Sequence, residues 1–247
     1  MAGRIRIGVG GWTFEPWRKT FFPEKLPQKR ELEYMAGKLS SIEINGTFYR
    51  TQKPATFAKW RAETPEGFVF ALKGPRYATN RSALGEAGES VGWFIDSGIA
   101  ELGDRLGPIN WQLATTKKYD RDEMAAFLDL LPEKAGERKL RHAVEARHPS
   151  FADGFGEQAR ERGVAVVLAG DSEYPVIEGG TEDFVYARIM GTTEGHEAGY
   201  SEAALDGWAA RAKGWAAAGR DVYLYVISGH KAANPAAALA LIARTGG

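Results

Sequence analysis

The chain has 247 residues, 44% hydrophobic and 26% charged, with a formal net charge of zero. That balance fits a globular protein with a real core and offers no global basic field for holding nucleic acid. The absence of cysteine excludes disulfides, thiolate metal sites and cysteine nucleophiles. No apolar run approaches the roughly 20 residues needed to cross a bilayer, and Met1 to Gly10 lacks a signal-peptide core, so a cytoplasmic protein without membrane contact is expected.

In chain order, short apolar segments rich in β-branched and aromatic residues alternate with segments of helical spacing. The first strand is expected at Ile5–Val9 and the second at Ser41–Ile44. Pro54, suited to the first turn of a helix, opens a helix to Arg61, and a third strand follows at Phe68–Lys73. Val91, Phe94, Ile95 and Ile99 predict one helix over Glu86–Leu102 before a fourth strand at Ile109–Leu113. Asp120 with Glu123 has the form of a capping box ahead of Met124, Phe127 and Leu128. The fifth strand is Leu140–Glu145, preceded by the basic run Arg138 to Arg141, read as a solvated turn. A helix from Phe151 to Arg162 then ends at Gly163, a residue suited to a left-handed cap. After a sixth strand at Val164–Ala169, only Gly170 to Glu182 precedes the seventh at Phe184–Ile189. With Gly179-Gly180 inside it, that span predicts a loop or a single turn. Ser201 caps a helix that carries Leu205, Trp208, Ala212 and Trp215 toward the core. The eighth strand is Val222–Ile227, and Asn234-Pro235 opens a last helix with Leu239 and Ile242 inward.

Eight such alternations at this length point to an α/β protein, a single (β/α)8 TIM-type barrel forming one domain over 1–247, with the sixth crossover short or irregular. Gly8-Val9-Gly10-Gly11 follows the first strand, but a dinucleotide fingerprint needs a glycine three positions beyond Gly10, where Thr13 stands. Side chains alternate between the faces of a strand. On that phase Val69, Ala71 and Lys73 share one face, as do Asn110 and Gln112, Ala143, Glu145 and Arg147, and Tyr186 and Arg188. Glu43 and Asn45 are likewise in phase. The mixed faces should line the barrel and the apolar faces should meet the helices. Strand after strand then ends on an inward polar residue: Glu43, Lys73, Gln112, Glu145 with Arg147, Asp171 and Arg188. The C-terminal mouth is where such barrels do chemistry, and a charge there is reached by water and substrate.

These blocks resemble the YecE-like family, also called domain of unknown function 72, from about Ile5 to about Ile242. The resemblance is carried by Gly8 to Trp12 with Phe14, Trp17 and Phe21-Phe22-Pro23, by Glu43 to Tyr49, and by Phe68 to Lys73. It continues through Leu106-Gly107-Pro108 leading to Gln112-Leu113, Glu145 to Phe151, and Tyr186-Ala187-Arg188. It implies a TIM-type barrel with Glu43, Asn45, Lys73, Glu145, Arg147 and Arg188 at the site, and it supplies no reaction. Asn80 stands where the family usually has histidine after Thr79, and Met190 where it has histidine before Gly191. The paired asparagines usual after the last strand are absent from Ile227 to His230. Acid–base or metal roles that rest on those histidines do not carry over.

The candidate catalytic residues are Glu43, Glu145 and Lys73. Two carboxylates in different environments can divide the roles of acid and base. A glycosidase would use such a pair, and strands two and five suit the wider spacing of about 6.5–9.5 Å. Ion pairing of Glu145 with Arg147 or Arg188 is the plainer account of the same residues. Arg147, Arg188 and Lys73 suit an anionic ligand, because guanidinium offers paired hydrogen bonds to phosphate or carboxylate. Acidic neighbours are expected to keep the pKa of Lys73 high, against a Schiff-base role. Asn45, Gln112, Trp12, Tyr49 and Asp171 complete the expected binding set, with His142 out of phase and structural. No cofactor is expected; Mg²⁺ or Mn²⁺ could draw on Glu43, Glu145, Asp171 and His148. The expected activity is that of an enzyme on a small anionic polar metabolite, such as a phosphorylated or acidic sugar. The alternatives are metal-assisted phosphodiester cleavage on nucleic acid and a non-catalytic ligand-binding barrel. Oligomeric state is left open.

Overall fold

The computed structural model describes residues 1–246. Its strands are β1 (Ile5–Gly10), β2 (Ser41–Ile44), β3 (Val69–Lys73), β4 (Leu106–Gln112), β5 (His142–Glu145), β6 (Ala165–Val166 and Leu168–Gly170), β7 (Phe184–Ile189) and β8 (Asp221–Val226). All pair in parallel, each beside its neighbours in sequence, and β8 returns to β1. The sixth strand closes the ring in two pieces. Ala165–Val166 pairs with β5 and Leu168–Gly170 with β7, so the chain changes partner at Val167. The result is a TIM-type barrel, with all eight predicted strands present.

Four elements differ from expectation for identifiable reasons. β4 starts at Leu106, and its register with β3 shifts between Phe70 and Leu72, beside Gly107 and Pro108; Pro108 lacks the N–H that an even ladder would use. β5 starts at His142, because Arg138–Lys139 instead pairs antiparallel with Lys134–Ala135 in a small hairpin. The helix expected over Glu86–Leu102 is broken at Gly98 (φ 104°) into a helix at Gly88–Ile95 and a 3₁₀ segment at Ile99–Arg105. The helix expected from Phe151 is similarly interrupted by Gly154 (φ 86°) and runs over Phe155–Glu161.

Caps follow the sequence closely. Asp120 accepts from the Glu123 N–H at 2.8 Å, and Ser201 from the Ala204 N–H at 3.2 Å. The Glu123 side chain does not complete the capping box; it accepts from the Leu84 N–H and from Lys117 Nζ. No helix forms between β6 and β7, as the glycine pair predicts. On the last helix, Asn234–Thr245, it is Ala237, Ala238 and Leu241 that are buried, while Leu239 is exposed. No helix among the described residues is long and apolar enough to cross a membrane.

The core has two shells. Outside the sheet, Ile7, Val9, Ile42, Leu72, Trp111 and Val144 meet the helices. Inside it, Val69, Ala71, Ala143, Val167, Tyr186 and Tyr225 pack on one another. The predicted phase therefore holds: apolar faces look out to the helices and mixed faces look in. His142 is on the outer face, accepting from Trp111 Nε1 at 3.0 Å through Nδ1, with Nε2 2.8 Å from the Pro132 carbonyl. The inner shell mixes aliphatic chains with the rings of Phe184, Tyr186, Tyr223 and Tyr225, and β1 presents Gly8 level with Tyr225. A Cβ on Gly8 would lie 1.9 Å from the Ser41 carbonyl oxygen. Gly8→Ala should therefore force β1 and β2 apart and destabilise the protein by about 2 kcal/mol or more, in the range of overpacked cores. Urea denaturation measures it; a midpoint equal to that of the parent would contradict this packing.

Candidate active site

The inward ends of β2, β5 and β7 meet above the tyrosine layer. Arg188 of β7 lies between two carboxylates. Its Nη1 donates to both oxygens of Glu145 at 2.8 and 2.6 Å, and its Nη2 to Glu43 Oε1 at 3.1 Å. Tyr186, two residues earlier on the same face, donates its hydroxyl to Glu43 Oε2 at 2.6 Å. Asn110 of β4 donates to Glu145 Oε2 at 3.1 Å. One step higher, Arg147 gives Nε to Glu145 Oε1 at 2.8 Å and Nη2 to Gln112 Oε1 at 2.9 Å, with its guanidinium 4.3 Å from the centre of the Tyr174 ring. Lys73, at the end of β3, donates Nζ to the same Gln112 oxygen at 2.7 Å and stands 4.4 Å over the Phe48 ring.

Glu43 and Glu145 are fully buried, at 0% exposure, and Arg188 and Lys73 nearly so. Charges this deep persist only where partners and hydrogen bonds replace water. Burial alone would raise the Glu145 pKa, but Arg188, Arg147, Lys73 and the Asn110 amide outweigh it and hold the carboxyl down at about 2. Burial pulls Arg188 down, and the two glutamates more than offset it, so its pKa is raised. The Tyr186 hydroxyl is pushed well above its ordinary value by burial and by Glu43. Lys73 goes the other way. Burial and Arg188 lower it, Glu43 and Glu145 only partly restore it, and it falls to about 8. The expectation of a high value fails because the ammonium is desolvated and touches neither carboxylate; its one side-chain hydrogen-bond partner is the neutral Gln112 amide.

Above this floor opens a cavity of about 820 Å³. Its wall includes five cationic side chains, Arg50, Lys73, Arg147, Arg188 and Lys231, and no carboxylate. Both candidate glutamates lie beneath the cavity, each on Arg188, where neither solvent nor a bound molecule reaches them. One guanidinium bridges the pair, in place of the open gap that an inverting glycosidase needs.

The other expected residues divide. Asn45, Gln112, Trp12 and Tyr49 line the cavity. Asn45 packs where a Cβ on Gly10 would lie 2.7 Å from its Nδ2, so β1 must end in glycine for it to fit. Trp12 stands edge-on to Trp60 with centroids 5.2 Å apart, and Tyr49 is exposed on the rim. Asp171 does not join them. Its φ of 52° turns it out of the strand's alternation, and its carboxylate accepts from Trp208 Nε1 at 2.7 Å. Asn80 and Met190 are also off the wall. Tyr174, Arg50 and Lys231 go beyond the sequence expectation: Tyr174 and Arg50 stand outside helices and strands, and Lys231 opens the short 3₁₀ segment Lys231–Ala233, so no periodicity marks them. Asn110 and Tyr186, on the inner face as their phase predicts, take roles as partners of the two glutamates. Among the described residues, no three His, Asp or Glu side chains gather as a metal would require.

Fold and mouth together define a (β/α)8 barrel protein whose C-terminal cavity has a cationic wall over a buried ion cluster. The chain belongs to the family described as Protein of unknown function DUF72, whose model matches residues 6–247. A DUF72 family protein from Thermotoga maritima is similar in structure, with a TM-score of 0.72 at 22% identity over 96% of each chain. One from Enterococcus faecalis V583 gives 0.75 at 16% identity, covering 98% of this chain and 95% of its own. A xylose isomerase-like TIM barrel/4-hydroxyphenylpyruvate dioxygenase fusion protein gives 0.51 at 15% identity, covering 95% of this chain and 41% of its own. These likenesses bear on the fold. No curated protein of known function matches the chain.

Removing one partner of a buried pair leaves the others uncompensated, at a cost of about 3–5 kcal/mol. Glu145→Gln is expected to destabilise the protein by that order in denaturant titration, with Arg147 and Arg188 left facing a neutral amide. In the parent, the carboxyl pKa lies below its ordinary 4.5, at about 2. Its contribution is then complete above about pH 4.5 and is lost as pH falls toward 2. Acid titration of stability should show this loss in the parent and a shallower profile in Glu145→Gln; parallel profiles would contradict the ion cluster.

Proposed function

We infer that the protein is an enzyme acting on a small anionic metabolite bound at the barrel mouth, with Lys73 as the group that changes protonation near neutral pH. The observation that carries this is the cavity wall itself, with its five cations and no acid. The floor beneath adds to it. Arg188, Arg147 and Lys73 stand against Glu43 and Glu145, so one positive charge of the cluster is uncompensated, and it belongs to the residue without a carboxylate partner. A phosphate or carboxylate group would supply the missing charge through charge-assisted hydrogen bonds. Trp12, Phe48 and Tyr49 offer apolar faces beside it for the body of a sugar-like molecule.

Glu43 and Glu145 serve in this view as the anchors that fix Arg188. Glu145 holds its charge down to about pH 2 and so does not carry protons at pH 7. Lys73, near 8, does, in the range where a general acid or base is most effective. The mouth position agrees with where barrels of this class place their chemistry.

The test is calorimetric titration with inorganic phosphate and with a phosphorylated sugar against the same sugar unphosphorylated. Both anions should bind and the neutral sugar should not. Affinity for both anions should fall above about pH 8, as Lys73 loses the charge that attracts them. Lys231→Ala, on the exposed rim, should weaken phosphate binding by about tenfold or less, while its lost contacts with the Phe14 and Trp17 rings cost about 1 kcal/mol of stability at most. No binding of either anion at millimolar concentration would remove the proposal.

A further inference from the structure

One nearly buried cation of the cavity wall, the amine of Lys73, holds no carboxylate. Among the described residues, the acids that form ion pairs in the mouth are Glu43 and Glu145, and both are paired with arginine. Lys73 Nζ is 6% exposed as part of its residue, borders the cavity, and donates to one neutral amide oxygen. The Phe48 ring lies 4.4 Å to one side and excludes water there. A lysine meant only as a counter-ion would sit on an acid. One meant only to hold an anion would be better served by a guanidinium, of which the wall already has three, Arg50, Arg147 and Arg188.

We propose that Lys73 is a nucleophile that forms a Schiff base with an aldehyde or ketone carrying an anionic group, the cations of the same cavity holding that group. The proposal rests on the anion-binding view above and names its substrate class. The neutral amine attacks the carbonyl carbon, a C–N bond forms, and the C–O bond of the resulting carbinolamine breaks. Two of the three protons of the original ammonium leave with the carbonyl oxygen as water, and the remaining one stays on the iminium nitrogen, so charge and atoms balance. Desolvation and neighbouring cations are how a lysine is made nucleophilic, and both act on Lys73, with its pKa lowered to about 8.

The experiment is reductive trapping of the full chain with sodium borohydride in the presence of pyruvate, dihydroxyacetone phosphate or uncharged dihydroxyacetone. Intact mass and peptide mapping follow. With an anionic probe, the peptide bearing Lys73 should gain the mass of the ketone less one oxygen atom, at least tenfold more than any other lysine. Uncharged dihydroxyacetone should leave no such preference. The pyruvate and dihydroxyacetone phosphate arms separate a carboxylate from a phosphate ester as the anionic group. Lys73→Met should lose the adduct, and circular dichroism checks that it folds; if it does not, Lys73→Arg replaces it. Labelling spread over exposed lysines with phosphate binding intact would overturn the Schiff base and leave the anion site standing. Absence of both adduct and phosphate binding would overturn the two together.

Discussion

One guanidinium held between two carboxylates is the interaction on which the rest of the mouth depends. Arg188 ties β7 to β2 through Glu43 and to β5 through Glu145, across the barrel's interior. A pair of buried acids without it would repel and take up protons; with it, Glu145 stays ionised to about pH 2. Tyr186 below and Asn110 beside occupy further oxygen lone pairs, which is what makes a buried ion cluster tolerable. The cluster is rigid because Glu145 is held from β4 and β7 and Glu43 by two residues of β7. It therefore acts as a fixed floor on which Gln112 and Arg147 are set, and Gln112 in turn orients Lys73.

The interior beneath explains why that floor sits so high. Barrels of this class usually fill their centre with branched aliphatic side chains in layers. Here β1 contributes Gly8 and Gly10, and Tyr186 and Tyr225 take the space, with ring centroids 5.2 Å apart. Their hydroxyls need partners when buried. Tyr225 finds Ser41 at 2.8 Å and Tyr186 finds Glu43. Polar matching thus continues from the tyrosine layer into the ion cluster, and the glycines of β1 also leave the space in which Asn45 reaches the cavity.

Much of this was legible in the amino-acid pattern because strand alternation depends on phase alone. Lys73, Gln112, Glu145 and Arg188 could be set on one surface from the runs that precede them, and the structure brings them together. Phase does not report depth. Glu43 and Glu145 share the inward face with Lys73, but two further cations close over them, and nothing in a strand of four residues distinguishes a sealed carboxylate from an open one. Asp171 departs from the expected set because the alternation ends at Gly170, and the positive φ of Asp171 itself turns its side chain to Trp208. Val167, where the sixth strand changes neighbours, is equally invisible, since both halves of that strand are apolar. Tyr174 lies in a loop and Lys231 opens a single 3₁₀ turn, where a residue's direction is set by the turn and not by a repeat.

The ion cluster also recasts which residue of the mouth is free to react. Strong pairing removes a group from proton chemistry, because it fixes the charge over the whole working range of pH. Arg188 and Glu145 are therefore poor candidates as acids or bases, however central they are, and Arg147 is engaged by Glu145 and Gln112. Lys73 shares their burial but not their pairing. The same two guanidiniums that neutralise the acids add their field to the desolvation that weakens its hold on a proton. An anion entering the cavity would oppose that field and a carbonyl group would exploit it. A ligand with both features lets one end satisfy the unbalanced charge while the other meets the amine. The departures at Asn80 and Met190 leave this arrangement untouched, since neither residue is on the cavity wall. What the mouth retains is a lysine held apart from acids by the arginines that claim them.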